Sequence, residues 1–166
     1  LLGAIADYRG SKKLFLGAFV GLGAAATGAM YFIVDGQWGF ALATFVVGNV
    51  AVTSSLAFYN SLLPSIASAD EVDRVSTAGF AMGYLGGGLL LAINLVFFAM
   101  RENLGVSTGD AVRISLASAG LWWASFTVIP LLTLRNRQPQ RDLPSGERYV
   151  TIGFKQLGHT LRRLPQ

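Results

Sequence analysis

The chain has 166 residues, of which 52% are hydrophobic and only 13% charged, with a mean hydropathy of +0.51. Soluble domains carry about 25% charged residues, so an ordinary water-soluble fold is excluded and lipid becomes the expected solvent. With no cysteine there are no disulfides or thiolate metal sites. The net charge of +4 comes from Lys and Arg between apolar runs, where lipid headgroups are the nearer anions, so nucleic acid is not an expected partner.

The opening GAIADYRGSKK, residues 3–13, is the most specific string. Gly3 permits close helix approach, Asp7 can pair at a helix end, Gly10 allows a tight turn, and Lys12 and Lys13 hold that turn among headgroups. Residues 1–13 therefore read as the end of one membrane helix and the loop leading to the next. No basic stretch followed by an apolar core and a cleavage site opens the chain, so no secretory leader is expected, and both termini are expected to be cuts in a longer protein.

A helix crossing about 30 Å of hydrocarbon needs about 20 mostly apolar residues. Four segments qualify, at about 14–34, 40–63, 77–100 and 113–134, with Pro64 bending or ending the second. None shows the polar stripe of a soluble bundle, and runs such as GLLLAINLVFFAM lack the alternation of a β-barrel. The expected class is an all-α membrane protein with four full transmembrane helices. Trp38, Tyr31, Phe97 and Phe98 fall near one set of helix ends, at headgroup level.

Polar residues inside these spans are candidates for a solute pathway, since an amide in lipid needs a partner or a wet cavity. Asn49, Thr53 and Asn60 project within about 40° of one another on the second span. Tyr59 lies beside them. On the third span Gly79, Gly83 and Gly87 recur every four residues, with Gly86 adjoining, and form a face suited to close helix packing. Asn94 projects on the same side, and Tyr84 interrupts the glycines. Each asparagine can serve either a solute or a bond between helices. Trp122 and Trp123, within the fourth span, read as packing or lipid-facing residues.

The tail, residues 135–166, reads as a basic linker carrying an amphipathic helix: Val150, Phe154, Leu157, Leu161 and Leu164 recur at helical spacing among Lys155, Arg162 and Arg163. His159 has no companion ligand, so no metal site is expected. Eleven of the Lys and Arg residues fall on one side of the four spans and two on the other, which places both ends of the chain in the cytoplasm. An intramembrane enzyme needs a positioned nucleophile and base or a metal cluster, and the spans offer neither, so no enzymatic role is expected.

The 3–13 string resembles the signature loop between the second and third helices of the major facilitator superfamily, with Tyr8 and Ser11 where basic residues are common in that pattern. The string FYNSLLPSIASADEVDRVSTAGFAMGYLGGGLLLAINL, residues 58–96, is similar to the branch of fungal vacuolar amino-acid effluxers of autophagy and their bacterial relatives. The resemblance implies that the four spans are helices three to six of a twelve-helix carrier, within its N-terminal half. It implies secondary active transport of a small solute, an amino acid in that branch, by alternating access in a bacterial cytoplasmic membrane. Gly3, Asp7, Gly10, Lys12 and Lys13 would then form a gating loop. The partners implied are the bilayer, the solute, a coupling ion and the missing helices of the same polypeptide, with no cofactor. GFAMGYLGGG also resembles the glycine motif of proton-coupled exporters, with Tyr84 where that motif has Pro. The competing reading is a channel subunit or a structural membrane protein.

Overall fold

A computed structural model describes residue 6 and residues 11–134. Gly3, Asp7 and Gly10, and the basic linker with its amphipathic pattern, lie outside the described residues. Among those described the chain is all-helical. Helix α1 runs Lys12–Ala29 and tightens into a 3-10 turn at Met30–Phe32. Helix α2 runs Trp38–Leu62, α3 Val72–Ala99 and α4 Thr108–Thr133. All four are long and apolar enough to cross a membrane, with mean hydropathies of 1.4 to 1.8.

Local chemistry sets the ends. Pro64 has no N–H to donate, and α2 gives way to a 3-10 turn at Leu63–Ser65. Gly36 and Gly105 turn the two links on the opposite side with φ of +83° and +67°, a region open to glycine and strained for other residues. Ser107 caps α4: its extended backbone lets Oγ accept from the Asp110 N–H at 3.1 Å, while the same hydroxyl donates to the Asp110 carboxylate at 2.7 Å. Arg113 closes the group by donating to Asp110 at 3.2 Å. At the end of α3, Arg101 donates to the Phe98 carbonyl at 3.0 Å with its guanidinium 4.6 Å from the Phe98 ring centroid, so a cation meets a helix C-terminus.

Helix α1 is the hub, packed on α2 along one side and on α4 along another. The buried positions of α2, Thr44, Gly48, Ala51, Ser55, Phe58 and Leu62, alternate steps of four and three and so form one continuous stripe toward α1. Ala6, Leu16, Val20, Phe58 and Leu62 make the core, where the Phe58 ring stacks on Phe15 at 5.2 Å and on Phe19 at 5.8 Å. Helix α3 has no buried residue and touches α4 only lightly.

The closest backbone approaches lie on α1. A methyl on Gly120 would stand 2.9 Å from the Ala24 carbonyl oxygen and 3.0 Å from the Gly28 nitrogen. Gly23 accepts the Trp123 indole against its Cα, with Ala51 on the same side. Trp123 is thus a packing residue wedged between α1 and α2.

Candidate solute pathway

The polar residues singled out in the spans fall into two sets. On α2, Asn49, Thr53 and Asn60 are all exposed. At 100° per residue their stripe lies about 160° around the helix from the face buried against α1. Asn49 donates to the Phe45 carbonyl at 2.9 Å, and Thr53 donates to the Asn49 carbonyl at 2.9 Å. Both bonds fold back along the same helix, which leaves the amide oxygen of Asn49 and the lone pairs of Thr53 directed outward.

Asn94 belongs to the second set. Its Nδ2 donates to Ser118 Oγ at 3.1 Å, and Oδ1 lies 3.2 Å from the same hydroxyl, which also donates to the Ser115 carbonyl at 2.7 Å. This is a bond across α3 and α4 in otherwise apolar surroundings, and it is the main polar tie holding α3 to the rest. Ser118 carried no signal in the sequence, because a serine in a helix is most often bonded to its own backbone.

Tyr59 is half-buried near the end of α2, and its hydroxyl points at α3, 2.8 Å from where a Cβ on Gly79 would be. Tyr84 is 81% exposed. Of the other glycines on α3, a Cβ at Gly86 would lie 3.9 Å from the Trp122 indole nitrogen, whereas one at Gly83 or Gly87 would meet nothing within 4 Å among the described residues. Lys13, at the start of α1, donates to the Leu134 carbonyl at 2.8 Å, joining the first turn of α1 to the last residue of the fourth span. Lys12 precedes it in the same turn. Sequence reasoning did not single out Gly23 and Gly120. The glycines of α1 have no fixed spacing, and α4 has one other glycine, Gly109 at its start, so neither forms a stripe.

Two cavities border the end of α2 that leads to Pro64. One, of about 360 Å³, is an open cleft between α1, α2 and α4, lined by Ser55 and Thr127 among apolar side chains. Pro130 also lines it, and because proline cannot donate, the Phe126 carbonyl lacks its usual partner four residues on. The second, of about 310 Å³, is a groove between α2 and α3 lined by Leu56, Tyr59, Gly79, Phe80, Gly83 and Tyr84.

The family described as "Vacuole effluxer Atg22 like" matches residues 1–166. The uncharacterized MFS-type transporter YxiO of Bacillus subtilis is 32% identical over all of this chain and 39% of its own length. Autophagy-related protein 22-1 of Aspergillus niger is 31% identical over 54% of the chain and 15% of its own length. Autophagy-related protein 22-2 of Emericella nidulans is 24% identical over 96% of the chain and 40% of its own length. The chain therefore spans about two fifths, or less, of these curated relatives. No solved structure matches it.

Proposed function

The chain belongs to the Atg22-like family of major facilitator transporters, and from that premise we propose that it is part of the N-terminal half of a secondary active transporter that moves a small solute by alternating access, with amino acids as the solute class. The observation that carries this reading is the polar stripe of Asn49, Thr53 and Asn60 on the side of α2 turned away from α1. Amides and hydroxyls left facing hydrocarbon cost free energy, so the stripe belongs against a wet pathway or the helices that complete it. Tyr59 and Tyr84 line the groove between α2 and α3, and Gly79, Gly83, Gly86 and Gly87 give α3 a face on which helices can pack and shift.

In this reading both ends of the chain are cytoplasmic, and the loop bearing Gly3, Asp7, Gly10, Lys12 and Lys13 tunes the balance between inward and outward states rather than touching solute. The membrane is the cytoplasmic membrane of a bacterium, in keeping with the bacterial relative. The test is counterflow in proteoliposomes made with the full-length parent and a panel of radiolabelled amino acids. A carrier shows saturable uptake stimulated by unlabelled solute on the far side. Flux without such stimulation points to a channel, and no flux for any of the panel defeats the amino-acid assignment. Asn49→Ala or Asn60→Ala should raise the apparent substrate constant with expression near normal; lowered expression with unchanged kinetics would make these residues structural.

A further inference from the structure

Tyr59 and Leu56, one turn back, line both cavities at this end of α2. The Tyr59 ring stands between the space held by α1, α2 and α4 and the groove between α2 and α3. Its hydroxyl occupies the place a side chain at position 79 would take: a Cβ there would lie 2.8 Å from Oη, while the next ring atom, Cζ, is 3.9 Å away. Among the described residues α3 has no buried residue, so within them the spacing between α2 and α3 is the dimension least fixed by packing. We propose that Tyr59 is a movable partition between the two clefts and that Gly79 is its seat, so that the position of α3 sets whether the cleft lined by Ser55 and Thr127 joins the groove between α2 and α3.

The proposal deepens the transporter reading by naming an internal gate, and it rests on that reading for its purpose and not for its geometry. Gly79 acts as a positioning residue, since it works only through the tyrosine. Alanine at 79 must push the hydroxyl away, but if the hydroxyl is first removed the nearest remaining ring atom is at ordinary contact distance. Tyr59→Phe should therefore undo the effect of Gly79→Ala, a rescue that a general packing defect would not show.

The experiment uses the full-length parent, with any other cysteines replaced and Ser55→Cys introduced, because Ser55 lines the first cleft and is only 7% exposed. Open membranes are treated with a bulky, membrane-impermeant maleimide, and the labelling rate is measured. The rate should be low with Tyr59 intact and equally low in Tyr59→Phe. It should rise about tenfold in Tyr59→Ala and in Gly79→Ala, the change expected when an open state goes from about 10% populated to nearly full occupancy. It should fall back in the Gly79→Ala/Tyr59→Phe pair. A rate unchanged by Tyr59→Ala, or a Gly79→Ala effect that Tyr59→Phe does not reverse, overturns the proposal. If Gly79→Ala does not fold, as judged by gel filtration in detergent, the Tyr59→Phe and Tyr59→Ala arms still decide. Labelling needs no solute, so failure of counterflow would sink the transport reading alone and a flat labelling pattern the partition alone.

Discussion

Gly120→Ala places a methyl 2.9 Å from the Ala24 carbonyl oxygen and 3.0 Å from the Gly28 nitrogen. Both are backbone atoms of α1 and cannot rotate aside. Ordinary contact begins near 3.4 Å, so α1 and α4 must separate by roughly half an ångström along this crossing. Overpacking of this kind costs about 1–3 kcal/mol, and replacing a helical glycine with alanine returns about 1 kcal/mol, leaving a net loss of up to about 2 kcal/mol. Gly17→Ala makes the internal comparison. Its methyl meets the Leu131 Cδ2 at 3.3 Å, the end of a side chain that can turn away, so the helix gain should cancel or exceed the clash. Thermal unfolding of the full-length parent in detergent, followed by the folded fraction on gel filtration, should show Gly120→Ala clearly less stable and Gly17→Ala close to unchanged. Equal stability of the two variants, or the reverse order, would refute the view that α1 and α4 meet backbone to backbone.

Ser107→Ala should cost about 1 kcal/mol by removing the cap of α4, visible as faster hydrogen exchange at the amides of 108–111, while Ser107→Asp should keep protection near normal. Lys13→Met should lower stability by about 1 kcal/mol through loss of the bond to the Leu134 carbonyl, and Lys13→Arg should retain most of it; equal losses in the two would deny the bond a role. For Asn94→Ala and Ser118→Ala, a double-mutant cycle should give a coupling of about 0.6 kcal/mol, and simple additivity would mean the bond is not formed in the membrane. Gly36→Cys and Gly109→Cys should label from outside cells, whereas labelling of Ser145→Cys from outside would invert the orientation.

The class of this fold was written in its charge distribution. Four apolar runs bounded by Lys, Arg, Asp and Glu leave helices as the only economical way to satisfy the backbone in lipid, and among the described residues there are four such helices. Hydropathy marks the part of a helix that crosses hydrocarbon, whereas capping marks where the helix begins. Thus α3 starts at Val72, with Asp73 in its first turn where the helix dipole favours a carboxylate, and α4 starts at Thr108 because Ser107 and Asp110 cap it a turn before the apolar run. Helix partners were less legible. The regular stripe at Gly79, Gly83 and Gly87 drew attention to α3, yet of these three only Gly79 meets a close neighbour among the described residues, the Tyr59 hydroxyl, while the tight approaches at Gly23 and Gly120 carried no such spacing. Close approach depends on which side chain lies opposite, Trp123 for Gly23 and bare α1 backbone for Gly120, and one-dimensional spacing does not contain that information.

The same limit separates the polar residues, and it does so usefully. Asn94 and Asn49 are equivalent in sequence terms, each an amide in an apolar span. Only after folding does Asn94 find Ser118, donating its amide N–H to a hydroxyl on the neighbouring helix, while Asn49 donates to its own backbone and keeps its oxygen turned outward with Thr53 and Asn60. The face opposite is closed by α1, so whatever satisfies this stripe must approach from the side that α1 does not occupy. A chain covering about two fifths of its bacterial relative has that side open for the rest of the polypeptide. The division follows from packing alone: α1 and α4 meet through glycine and backbone and form a fixed wall, while α2 and α3 carry the polar stripe, the Tyr59–Gly79 contact and the unburied faces on which a moving part must act.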